Sequence, residues 1–208
     1  MQRLHLQSRA NARTGGFSLI EVLAVVLILG LLFAFLVPNL FSGQEGVKRR
    51  ATQTWITQLS AEIEAYEREK GAYPASTFST DLDPKPSRTN MGIEALVIAL
   101  LPADGSYRAT GSFDDRLCNT DGDTTKTSLT RFQKSDAFEL SDEWDNPLVY
   151  LHRRDYEKGC QYLTYHEATS EFVEEKVKAA VNPTTGSPYR PDAFQILSAG
   201  PDGQFGTA

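Results

Sequence analysis

Ser18 and Glu21 are the strongly polar residues of an otherwise apolar run from Phe17 to Val37. Their S-x-x-E spacing is that of a capping box, in which the serine caps the first helical turn and the acid reaches back to the cap amide. A carboxylate in so apolar a helix has a second chemistry available. In low dielectric it attracts a cation far more strongly than in water, and each charge relieves the desolvation of the other. Left alone at the centre of a membrane it costs on the order of 2.5–3.5 kcal/mol on insertion scales. Glu21 is thus a cap, a docking charge, or both. Three histidines, at positions 5, 152 and 166, sit in no H-E-x-x-H pattern, and the chain carries neither a G-x-S-x-G elbow nor a P-loop, so no enzyme is expected. Asn119-Thr120-Asp121-Gly122-Asp123 places oxygen ligands close together but lacks the twelve-residue EF-hand pattern closed by Glu. An Asp-Gly turn is the expected reading there, with calcium the alternative. Cys118 and Cys160 are the two cysteines. A bridge between them would close a long loop and contribute about 4 kcal/mol on the chain-entropy model, which favours the disulfide over two buried free thiols.

The elements that must position these residues follow from periodicity. A helix of about 20 residues rising about 1.5 Å each covers the roughly 30 Å of bilayer hydrocarbon, so 17–37 is long enough to span a membrane. Pro38 lacks an amide donor and its ring clashes with the carbonyl four residues back; with Gly43 and Gly46 it predicts a kink or a locally melted stretch. Ala51, Trp55, Leu59, Ile63 and Tyr66 then recur at three- and four-residue steps, one face of an amphipathic continuation over 38–70 that Gly71 and Pro74 end. Leu148–His152, Gln161–Tyr165 and Ala193–Leu197 read as strands, and Glu171–Val181 is ambiguous between strand and helix. The polar stretch from Pro102 to Leu140, rich in Asp, Thr, Ser and Gly, predicts an inserted surface loop. Long helix and short strands together make an α+β head.

Gly16-Phe17-Ser18-Leu19-Ile20-Glu21-Val22-Leu23 resembles the cleavage signal of type IV pilins and type II secretion pseudopilins. The resemblance implies that 1–16 is a leader removed by a prepilin peptidase after Gly16, that Phe17 becomes the N-methylated first residue, and that Glu21 pairs with the terminal amine of a neighbouring subunit. It also implies a pilin-like fold, single-pass anchoring in the inner membrane with a periplasmic head over 71–208, a homo-oligomeric helical filament, and an inner-membrane assembly platform as a partner. Further along, Tyr66 to Pro74, Met91-Gly92-Ile93-Glu94-Ala95-Leu96-Val97 and Trp144-Asp145-Asn146-Pro147-Leu148-Val149-Tyr150 are similar, in order and spacing, to landmarks of the major pseudopilin. That favours a type II secretion subunit over a type IV pilus or competence pilin. A membrane-tethered binding or sensor module is the alternative of a different class.

Ser198-Ala199-Gly200-Pro201-Asp202-Gly203 resembles the segment that forms a calcium loop in major pseudopilins, with Asp202 at its first aspartate. The second acidic cluster usual in the family does not follow before Ala208, so a Gly-rich turn fixed by Asp202 competes with the metal. Charge agrees with an exported acidic domain. Loss of the leader removes Arg3, Arg9 and Arg13 and no acid, taking the formal charge from -6 to -9. Nucleic acid is not an expected ligand, because phosphate binding needs clustered Lys and Arg. The one tight basic cluster, Lys48-Arg49-Arg50, fits a solvated or headgroup-facing helix surface.

Overall fold

Apolar residues at three- and four-residue spacing make the second half of the long helix amphipathic, and the computed structural model buries that stripe. It describes residues 18–78 and 86–206, and at 35 and 37–43 the backbone alone. The helix, α1, is assigned over Leu19–Lys70. The chain divides into two compact units, Met1–Gln44 and Glu45–Ala208. In the first, every described large apolar side chain from Leu19 to Leu36 is exposed. A helix that is hydrophobic all round calls for lipid or other helices around it. Among the described residues no helix is long and apolar enough to cross a membrane. The stretch expected to span, 17–37, includes Phe17, Phe35 and Val37, which lie outside the description wholly or in their side chains. Of the kink or melted stretch expected between Pro38 and Gly46, melting is not found, since the helix continues through it. A proline removes one amide donor, and the remaining bonds of a long helix carry the backbone past it.

In the second unit Trp55, Leu59 and Ile63 are buried with Thr52, whereas Gln53, Thr54, Thr57 and Gln58 on the far face are exposed. α1 ends as expected at Gly71, whose φ of 79° needs no Cβ and whose amide donates to Glu67 O at 2.7 Å. The same core cluster takes in Ile93, Leu96, Val97 and Leu100 of a second helix, α2, over Met91–Leu100. Each such side chain contributes about 1.5–3 kcal/mol when fully buried.

Among the described residues the strands form three antiparallel pairs: β1 (Leu117–Cys118) with β2 (Glu139–Leu140), β3 (Val149–His152) with β6 (Phe194–Leu197), and β4 (Cys160–His166) with β5 (Glu171–Val177). α2 packs on β2, β3 and β4. Gly92 is where α2 meets β3 most closely. A Cβ there would collide with the Tyr150 carbonyl and stand 2.5 Å from the Tyr162 hydroxyl, which itself accepts from the Tyr150 amide at 3.0 Å. Alanine is the better helix former by about 1 kcal/mol in open space. Here the collision is with strand backbone, so Gly92→Ala should destabilise the protein by about 3 kcal/mol. A thermal melt checks this, and an unchanged midpoint would refute the close approach.

The ambiguous segment is strand β5, because pairing with β4 from Cys160↔Val177 to His166↔Glu171 overrides its helix-forming Glu and Lys. The stretch expected to be a surface loop differs more. Tyr107, Phe113, Phe138 and Leu140 are buried in the main core, and Phe113 stacks edge-on against Trp55 at 5.6 Å between ring centroids. Its polar residues satisfy its own turns while a few well-spaced aromatics anchor it. The expected disulfide is also absent. Cys118 and Cys160 are free, on strands of different sheets. The Cys118 thiol donates to Glu139 Oε2 at 3.4 Å. Burial pushes both thiols up, Cys160 to about 11, so neither is a reactive thiolate.

Candidate functional site: the helix start and the C-terminal turn

Ser18 precedes the first helical residue, Leu19, and Glu21 stands in the first turn. The box closes in both directions: the Ser18 amide donates to Glu21 Oε2 at 2.8 Å and the Glu21 amide to Ser18 Oγ at 3.3 Å. The acid is therefore held at the positive end of the helix dipole, turned back to the Ser18 amide. Gly16 and Phe17 lie outside the described residues. What this geometry offers chemically is an exposed, oriented carboxylate on an apolar rod.

At the other end of the sequence, Asp202 Oδ1 accepts from the Gln204 amide at 3.2 Å in a tight turn. Gly203 has a φ of 73°, and a Cβ there would collide with the Tyr165 carbonyl. Asp202 is the one acid between Ser198 and Gly206, and the Ser198 hydroxyl is committed to Asp142 Oδ2 at 2.6 Å. Asp142 is buried and also accepts from the Trp144 and Asn146 amides at 2.9 and 3.1 Å, tying the Trp144–Pro147 turn to the C-terminal segment. Burial raises its pKa against the pull of these hydrogen bonds. No motif in the sequence singles out Asp142. Glu94 lies in the Met91–Val97 landmark, but no pattern gives its carboxylate or that of Glu139 a role; the fold brings both to Asp121 with ligand atoms within 4.8 Å of one another.

A family profile described as a prokaryotic N-terminal methylation motif matches residues 11–37. The type II secretion system core protein G of Pseudomonas aeruginosa is 29% identical over 136 residues, 65% of this chain and 72% of that protein. The core protein G of Escherichia coli is 30% identical over 201 residues, 96% of this chain and 90% of its own length. The chain belongs to the family of type II secretion system core protein G. A type IV major pilin protein, PilA of Myxococcus xanthus, is 35% identical over 83 residues, 40% of this chain and 37% of the pilin. The core protein G likeness to the Escherichia coli protein thus takes in the head as well as the helix. No solved structure matches the chain. Membership accounts for the pilin-like order of elements, a long N-terminal helix followed by a head of small antiparallel sheets.

Proposed function

We propose that this protein is the filament-forming pseudopilin of a type II secretion system, made as a precursor, cleaved after Gly16, methylated on Phe17 and assembled through its N-terminal helix. The observation that carries the reading is the near full-length likeness to a core protein G, together with an apolar helix that exposes every described large side chain from Leu19 to Leu36 and holds one acid. Before assembly the helix anchors the chain in the inner membrane with the head in the periplasm. A prepilin peptidase removes the basic leader, and an inner-membrane platform drives subunits out of the bilayer. In the filament, Glu21 exchanges its bond to the Ser18 amide for the charged terminal amine of a neighbour. A subunit docked out of register leaves both charges unpaired in a dry environment, which penalises the error.

Mass spectrometry of protein recovered from a host that carries the secretion genes should give a chain beginning at monomethylated Phe17. Recovery of the intact leader in the assembled fraction would overturn the processing step. A type IV pilus subunit is the second reading, carried by the shorter Myxococcus xanthus match. Deletion of the chain from its host separates the two: loss of secreted enzymes supports the secretion reading, and loss of surface fibres with secretion intact refutes it.

A further inference from the structure

Glu94, Asp121 and Glu139 reach one point from three parts of the chain: the first turn of α2, the turn after β1, and β2. Glu94 and Glu139 are fully buried. Glu139 is held on both oxygens, Oε1 by the Asn90 side-chain amide at 2.6 Å and Oε2 by the Thr120 amide and hydroxyl at 2.9 and 2.8 Å. Asp121 Oδ2 accepts from the Ser87 hydroxyl at 2.7 Å. Asp123, a fourth acid, accepts the Ser87 amide on Oδ2 at 2.6 Å, while its Oδ1 is buried with no hydrogen-bond partner. Glu94 is the anomaly: its side chain is fully enclosed, no donor reaches either carboxyl oxygen, and its polar neighbour is the Asp123 carboxyl, which can bond it only by sharing a proton. Burial, and then the charges of Asp123, Asp121 and Glu139, push its carboxyl up to about 11, and Asp123 is raised to about 6, chiefly by burial. Among the described residues no Lys or Arg forms an ion pair with any of the four. A buried polar side chain without a donor calls for an explanation, a bound ion among them, and a cluster of carboxylates without a counter-charge specifies the sign of such an ion.

We propose that Glu94, Asp121, Glu139 and Asp123 form a calcium site in the head, with Glu94 as the ligand that reaches the ion from α2. The donors are all oxygens, which selects a hard cation. Two of the acids come from a short turn, Asp121-Gly122-Asp123, able to adjust to the larger and less directional shell of calcium, whereas magnesium demands near-octahedral geometry. The ion would tie the 102–140 stretch to α2, which explains why an acidic turn is folded inward onto buried acids. The site is distinct from the turn at Asp202, and it stands apart from the assembly reading because it concerns the head alone.

Thermal melts of the full chain in detergent, in chelator and then with calcium or magnesium, test this. Calcium at a hundredfold excess over its dissociation constant should raise the midpoint by roughly 5–10 °C. Glu94→Gln, which keeps shape and removes charge, should lose most of that shift, and so should Asp121→Asn, whose side chain is only partly buried. Asp202→Asn should retain it. If Glu94 is instead a neutral acid sharing a proton with Asp123, calcium has no effect on the parent chain and Glu94→Gln melts where the parent does. That pair of results overturns the proposal, as does a calcium shift abolished by Asp202→Asn alone, or a response to magnesium without one to calcium. None of these outcomes bears on cleavage or filament formation.

Discussion

Glu21→Gln should abolish filament formation while leaving the subunit folded, inserted and cleaved. Glutamine is the informative substitution because it is accepted in a capping box: its side-chain oxygen can take the Ser18 amide as Glu21 Oε2 does at 2.8 Å. Were capping the whole role of Glu21, the loss would be a few tenths of a kcal/mol in an exposed first turn, and fibres would form normally. If the acid instead meets the terminal amine of a neighbouring Phe17, substitution removes one charge of a pair that forms afresh at every subunit addition. Two unit charges about 4 Å apart attract by about 4 kcal/mol at an effective dielectric near 20. A loss of that order lowers the equilibrium for adding each subunit by roughly a thousandfold, and polymerisation compounds it. The measurement is electron microscopy of sheared fibres beside an immunoblot for cleaved subunit. Fibres of ordinary number and length from the glutamine variant would return Glu21 to the status of a cap.

The parts of the molecule that a sequence pattern revealed are those where one local period decides the structure. Trp55, Leu59 and Ile63 are buried where their three- and four-residue steps put them. Gly71 ends α1, and Val149–His152 and Phe194–Leu197 pair in one ladder. The 102–140 stretch escaped because Tyr107, Phe113 and Phe138 follow no period; each is buried by a different turn, and polar composition hid them. β5 stays ambiguous between strand and helix for a related reason: its pairing with β4 is a tertiary fact that Glu174, Glu175 and Lys176 do not advertise. The box at Ser18 and Glu21 was legible from spacing alone, whereas the acids under α2 were not. Asp121 and Asp123 looked like an isolated turn, and nothing local joins them to Glu94 and Glu139, which are brought there by the packing of α2 on β2. The disulfide expectation fails for the same reason, since two cysteines in one chain carry no information about which sheets they occupy.

Asp142→Ala should cost about 3–5 kcal/mol, a fall of roughly 10 °C in the melting midpoint. One carboxyl group there receives the amides of Trp144 and Asn146 and the hydroxyl of Ser198. Truncation leaves these donors in largely buried positions without an acceptor, and two separate segments, the turn before β3 and the strand end after β6, lose their common tie. Asp142→Asn keeps an acceptor for the two amides, and the Ser198 hydroxyl can rotate to accept from the new amide, so its cost should be about 1 kcal/mol or less at neutral pH. The two variants should also differ in pH dependence. Because burial raises the folded pKa of Asp142 above its ordinary value, the folded chain holds that proton to a higher pH than the unfolded chain does. The stability contributed by protonated Asp142 is therefore fully present below the ordinary aspartate range and is lost as pH rises through the folded value. Asp142→Asn removes this slope, so its deficit relative to the parent should be greatest at low pH and shrink toward neutrality. Melts at a series of pH values measure the difference directly. A deficit that grows on going from acid to neutral pH would mean that the hydrogen bonds outweigh burial and that Asp142 is held below, not above, its ordinary pKa.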